Sequence, residues 1–172
     1  QLRAEEHIKI QQMLDSLEYI NVEIPRELRH CLSNGIGYHH AGLRSSARHL
    51  VEDMFREGLT RIISSTTTLA SGMDLPARTV IISDIRRPHD YRELLPINKV
   101  HQMLGRAGRP GMDRRGFGVI IVDSKGQQRE VVSRYFVSVK DDATGAVMLK
   151  PKYAPVNSHF GNSGSLEEQL LI

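Results

Sequence analysis

Tryptophan is absent from this 172-residue chain, and aromatic residues make up only 5% of it. A surface that binds single strands by stacking base after base on aromatic rings is therefore disfavoured. Cys31 is the only cysteine, which rules out an internal disulfide; set among apolar neighbours, it reads as a buried thiol of a reducing compartment. No apolar run reaches the roughly 20 residues that cross a bilayer, and no signal peptide is visible. The expected location is intracellular: cytoplasmic or nucleoid-associated, or nuclear in a eukaryote. The sequence also contains no G-x-x-x-x-G-K-[ST] phosphate loop and no D-E-x-H run.

Net charge is small, +3, but it is unevenly spread. Between Arg86 and Arg115 eight Lys/Arg stand against three acids, a local charge of +5. Such a concentration is an electrostatic footprint for phosphate, and a solvated basic face has the same composition.

The length suits one domain with its own core and room for an appendage. The chain opens in mid-helix on Gln1 and reads as a piece of a longer protein. Apolar spacing predicts helices over residues 2–20, after Pro25, and from a cap at Ser45 or Ser46 to Gly58. Two more are predicted from Pro96 to about Ala107 and over residues 126–136. Short β-branched runs between them, "GIGYHH", "TRIISST", "TVIISDI" and "GFGVIIVDS", read as strands. "TVIISDI" is apolar enough to be covered on both faces. The alternation is that of an α/β domain with a parallel sheet flanked by helices. From Asp141 the text turns rich in Gly, Pro, Ser and Asn, an extended tail with a new helix from Ser165. The expected division is residues 1–140 and 141–172.

Three stretches carry candidate chemistry. In "HQMLGRAGRPGMD" (101–113), Arg106 and Arg109 are three apart and small residues surround them. On a helix they share one face, and paired guanidiniums suit a phosphoryl group in transfer. A basic surface loop accounts for the residues equally well. In "SSTTTLASGMDLPARTVII" (64–82), hydroxyls and exposed amides follow a strand, as in a phosphate-holding loop, or a Thr-rich turn capped by Asp74. In "YHHAGL" (38–43), adjacent histidines on a strand point to opposite faces, so they do not chelate one metal; one faces the core and one a groove. No metal site is expected.

In this order and spacing, "GYHHAGL", "STTTLASGMDLPARTVII" and "HQMLGRAGRPGMD" resemble the second motor domain of a superfamily 2 helicase. The branch is superkiller-like, which includes archaeal DNA-repair and exosome-associated RNA helicases. The resemblance covers about residues 1–136. It implies a RecA-like sheet of P-loop NTPase type, ATP with Mg²⁺ held mainly by a first motor domain outside this chain, and movement along one strand of nucleic acid. On the matching positions, Arg106 and Arg109 would reach the γ-phosphate, with Gln102, Gly72 and Asp74 beside the nucleotide. Thr66 and Thr68, and also His40, Gly42 and Arg44, would contact the nucleic-acid backbone. Arg86, Arg87 and Arg92 lie in "IRRPHDYRELLPI" (85–97), where DNA-unwinding relatives carry a strand-separating hairpin and where a plain loop fits as well.

What the family has and this chain lacks is the first motor domain, its Mg²⁺–triphosphate cradle and the opening strand of the second domain. The tail would lead toward a winged-helix domain. The implied partners are single-stranded or forked nucleic acid, DNA ahead of RNA, and the first RecA-like domain of the same parent chain, with no membrane. Two other readings stay open: an RNA helicase of the same branch, and a binding module that kept the fold and lost the motor.

Overall fold

The structure, a computed structural model, describes residues 2–19, 23–67, 75–87, 90–142 and 144–155. It divides into two compact units, Gln1–Ile82 with Gln102–Ile120, and Ser83–His101 with Ile121–Ile172.

The first unit begins with helices α1 (Ala4–Tyr19) and α2 (Arg26–Ser33). Pro25 stands at the N-cap of α2, where its missing N–H costs nothing, and Gly35 turns the chain out at φ +72°. Strand β1 (Ile36–His39), helix α3 (Ser45–Arg56) and strand β2 (Ile62–Ser65) follow as a β-α-β unit. β1 and β2 are parallel, with Ile36 opposite Ile62 and His39 opposite Ser65. Gly37 sits where a Cβ would come within 3.0 Å of Val51 and 3.2 Å of Thr60, so its small size lets β1 lie against α3. Leu28, Leu32, Ala47, Val51 and Met54 fill the core between these elements, joined by Ile10 and Leu14 of α1. Arg44, rather than a serine, occupies the N-cap of α3, and no side chain caps that end.

Strands β3 (Thr79–Ile82) and β6 (Phe117–Ile120) form a second parallel pair in the same unit. Only one of its faces is covered: Ile82 is buried, while Ile81 is 60% exposed. The expectation that "TVIISDI" is sandwiched on both sides therefore does not hold among the described residues. Cys31 is half-buried rather than sealed in the core.

The second unit contains an antiparallel hairpin, β4 (Arg86–Arg87) with β5 (Asp90–Leu94), irregular at Arg86/Arg87. Helix α4 (Ile97–Leu104) starts here, and α5 (Lys125–Tyr135) follows β6. Ser124 caps α5 by accepting from the Gln127 N–H (3.1 Å), and Gln127 accepts in return from the Asp123 N–H (2.6 Å). The fully buried Tyr135 donates its hydroxyl to the Leu95 carbonyl at 2.7 Å. Around the start of the expected tail, β7 (Phe136–Lys140) and β8 (Val147–Pro151) form an antiparallel hairpin, so that the tail's described part is paired rather than a free linker. Asn98 then holds Ala154 through two reciprocal 3.2 Å bonds. The helix expected from Ser165 lies outside the described residues.

Candidate nucleotide and nucleic-acid interface

Because β1 and β2 run parallel and in register, the loops that leave their carboxyl ends emerge at one edge. One loop carries His40, Gly42 and Arg44; the other begins at Thr66, whose N–H donates to the His39 carbonyl (3.3 Å). Four of the expected backbone-contacting residues are thus brought together, and Thr68 lies outside the described residues.

The two histidines separate as strand geometry requires. His39 points inward, 4% exposed, with Nε2 3.2 Å from Oε1 of Glu52, itself 7% exposed. His39 Nδ1 is buried without a hydrogen-bond partner among the described residues. His40 points the other way and stacks on Tyr38, ring centroids 5.8 Å apart and planes 6° from parallel. The Gly42 N–H donates to His40 Nδ1 (3.1 Å) and the Leu43 N–H to the His40 carbonyl (3.1 Å), closing a tight turn. Arg44 is exposed and paired with Glu23 at 2.9 Å. A surface pair of this kind is worth about 0–1 kcal/mol and yields readily to a phosphate. Among the described residues no cluster of His, Cys, Asp and Glu could hold a metal ion.

The arginine stretch is not a continuous helix. α4 ends at Leu104, and the next N–H groups, of Arg106 and Ala107, reach back only three residues, to Met103 (3.2 Å) and Leu104 (3.0 Å). Gly108 takes φ +97° and Pro110 has no N–H to give, so the helix does not continue past this point. Arg106 and Arg109 therefore do not share a helix face; they lie on a loop laid along the amino ends of β3 and β6. The Ala77 N–H donates to Arg106 (2.9 Å) and the Gly108 N–H to Ala77 (2.7 Å), while Phe117 donates to Arg78 (2.9 Å). A Cβ built on Gly116 would overlap the Ala107–Gly108 peptide. The small residues between the arginines thus serve backbone-to-backbone packing.

Arg109 grips Asp113. Its Nε and Nη2 donate to the two carboxylate oxygens at 2.8 and 3.0 Å, and its backbone N–H donates to Oδ2 at 3.0 Å. The bonds from Arg109, with a smaller contribution from Arg78, hold the Asp113 carboxyl at about 2, well below the carboxylate range. In return Asp113 raises the Arg109 guanidinium above its ordinary value. Arg106 is half-buried, and Gln102 is exposed on α4. Gly72 and Asp74 lie outside the described residues. In the second unit Arg87 pairs with Glu93 at 2.8 Å across the β4–β5 hairpin, which occupies the segment offered as a strand separator. The side chain of Arg92 is not among those described.

Two participants were not singled out from the sequence. Asp113 lies four residues after Arg109 but outside any helix, so the helical i,i+4 rule does not predict the pair; it forms because the five residues close into a turn. Glu52 follows Val51 inside an apolar stripe of α3, and nothing in the periodicity marks it as His39's partner.

Parallel strands joined through helices fit the RecA-like fold of a helicase C-terminal domain. The chain belongs to the helicase conserved C-terminal domain family, whose profile matches residues 7–111. It is 42% identical over 130 residues to the ATP-dependent DNA helicase Hel308 of Pyrobaculum calidifontis, covering 74% of this chain and 18% of that protein. Against the Hel308 of Caldivirga maquilingensis the identity is 40% over 147 residues, 84% of this chain and 18% of that one. Against that of Methanocella arvoryzae it is 36% over 139 residues, 80% and 19%. The chain spans about a fifth of the length of these curated relatives.

Proposed function

We propose that this chain is the second motor domain of an ATP-dependent helicase that translocates on and unwinds DNA. The observation that carries the reading is the 42% identity, over 74% of the chain, to a relative named as an ATP-dependent DNA helicase. Residues 1–140 form the motor domain, and residues 141–172 lead toward a winged-helix domain. Bound ATP with Mg²⁺ supplies the phosphoryl group whose transfer to water drives the motor. The described residues suit a contributory role toward it: they offer guanidinium donors but no glycine-rich phosphate cradle. Arg106 and Arg109 stabilise charge on the γ-phosphate, and Gln102, Gly72 and Asp74 line the nucleotide. His40, Gly42, Arg44, Thr66 and Thr68 track the DNA backbone. Arg86, Arg87 and Arg92 sit on the segment that parts the strands. A first RecA-like domain of the same polypeptide holds the triphosphate, so this chain alone is inactive.

The test is steady-state ATPase of the full-length parent polypeptide with saturating single-stranded DNA. Arg109→Ala lowers turnover by about 10³-fold or more, as loss of an arginine finger does, and leaves nucleotide binding largely intact. Wild-type turnover in that variant ends the reading. Stimulation by RNA in place of DNA favours the RNA helicase of the same branch.

A further inference from the structure

An arginine that stabilises a transition state must be aimed as well as present. A free arginine side chain samples many rotamers, and a misplacement of about 1 Å in a catalytic group costs on the order of 10²-fold in rate. The loop Arg109–Asp113 has a device that removes this freedom. We propose that Asp113 is a positioning residue for Arg109, clamping one edge of its guanidinium so that the opposite edge is presented to the triphosphate; this rests on the reading of Arg109 as a finger.

Three observations carry it. First, the grip is on an edge. Asp113 takes the Nε and Nη2 protons of Arg109, two of the five that a guanidinium donates. The remaining three point away from the carboxylate, and no bond to Nη1 is found among the described residues. Arg109 can therefore be held and still donate. Second, exposure is graded in the right sense: the carboxylate is 8% exposed and the arginine 40%. The acid lies behind and the base in front, so an approaching anion meets the cation first. Third, the clamp is itself fixed. Asp113 also accepts from the Arg109 N–H, its own N–H donates to the Arg109 carbonyl (3.0 Å), and so does that of Met112 (3.1 Å). Five residues close on themselves, and the carboxylate is a rigid reference point. A carboxylate needed only to tie the loop would stop at the backbone N–H; this one also engages the guanidinium side-on in two bonds, the arrangement that fixes both direction and rotation.

The experiment uses the full-length parent polypeptide with saturating single-stranded DNA. Asp113→Asn keeps an acceptor for the backbone N–H and loses the two-oxygen grip. We expect kcat to fall about tenfold or more, with KM for ATP within about twofold. In the Arg109→Ala background the same change is expected to have no further effect on kcat. Arg109→Lys, which keeps charge but offers no edge to clamp, should be as slow as Arg109→Ala; this variant decides the matter should Asp113→Asn fail to fold. A slow Arg109→Ala beside an Asp113→Asn of wild-type or raised kcat overturns the clamp and leaves the finger standing. A near-wild-type Arg109→Lys overturns the clamp too. A wild-type Arg109→Ala removes the finger reading itself, a separate outcome.

Discussion

Adding one methyl group at Gly116 should disable the arginine loop without touching either arginine. A Cβ there overlaps the carbonyl carbon and oxygen of Ala107 and the nitrogen of Gly108. All three are backbone atoms, so no side-chain rotation relieves the clash, and the 107–108 peptide must retreat by about 1 Å. Its retreat is opposed by the bonds that tie this backbone to Ala77, which donates to Arg106 at 2.9 Å and accepts from Gly108 at 2.7 Å. Forced backbone shifts of this sort cost roughly 1–3 kcal/mol, and each strained hydrogen bond adds about 0.5–1.5 kcal/mol. Gly116→Ala should therefore destabilise by roughly 2–6 kcal/mol and lower the thermal midpoint of the chain by roughly 4–24 °C. In the full-length parent the displaced loop carries both guanidiniums with it, and turnover should fall on the order of 10²-fold. Gly58→Ala is the control. Gly58 has φ +74° and open space around the Cβ position, so strain alone should cost about 1–2 kcal/mol and leave turnover intact. Melting curves and ATPase rates measured on the same preparations decide the matter. A Gly116→Ala protein with wild-type midpoint and wild-type rate would refute the packing argument.

Three further expectations follow from the same contacts. Glu52→Ala leaves the buried His39 ring with neither nitrogen partnered and should cost roughly 2–4 kcal/mol in thermal unfolding, whereas an unchanged midpoint would mean the 3.2 Å pair contributes nothing. Tyr135→Phe strands the Leu95 carbonyl and should cost about 1–3 kcal/mol, read as faster amide exchange along α5 and β7; unchanged exchange would show the bond to be idle. The Asp113 carboxyl sits at about 2 in the folded chain, below its unfolded value, so its stabilising effect is complete above the ordinary carboxylate range and fades only as pH falls toward 2. Between pH 5 and 9 the clamp should add no inflection to the rate profile, and a carboxyl ¹³C titration with a midpoint of 4 or higher would contradict it.

Much of the fold was legible because burial imposes period. The stripe Ala47, Leu50, Val51, Met54 marks α3, and alternation sends His39 inward and His40 out. Sequence pattern failed where tertiary contacts override local preference. Residues 97–107 carry a helical pattern throughout, yet the helix stops at Leu104 because Ala77 claims the backbone of Arg106 and Gly108. Val137 and Val139 face Lys150 and Met148 across a turn containing Gly145 at φ +70°, a hairpin signal masked by the polar text around it. For the arginine pair the structure differs in geometry from the sequence pattern. Its spacing suggested one helix face, while the partner that orients Arg109 is an acid four residues on.

The glycine amide that folds back onto His40 has a consequence for the ring itself. Nδ1 accepts the Gly42 proton at 3.1 Å, so in the neutral imidazole the ring's own proton is held at Nε2. A backbone N–H two residues away thereby selects the tautomer. The remaining nitrogen is left as a donor, matched to ligands that bring lone pairs and mismatched to those that bring protons.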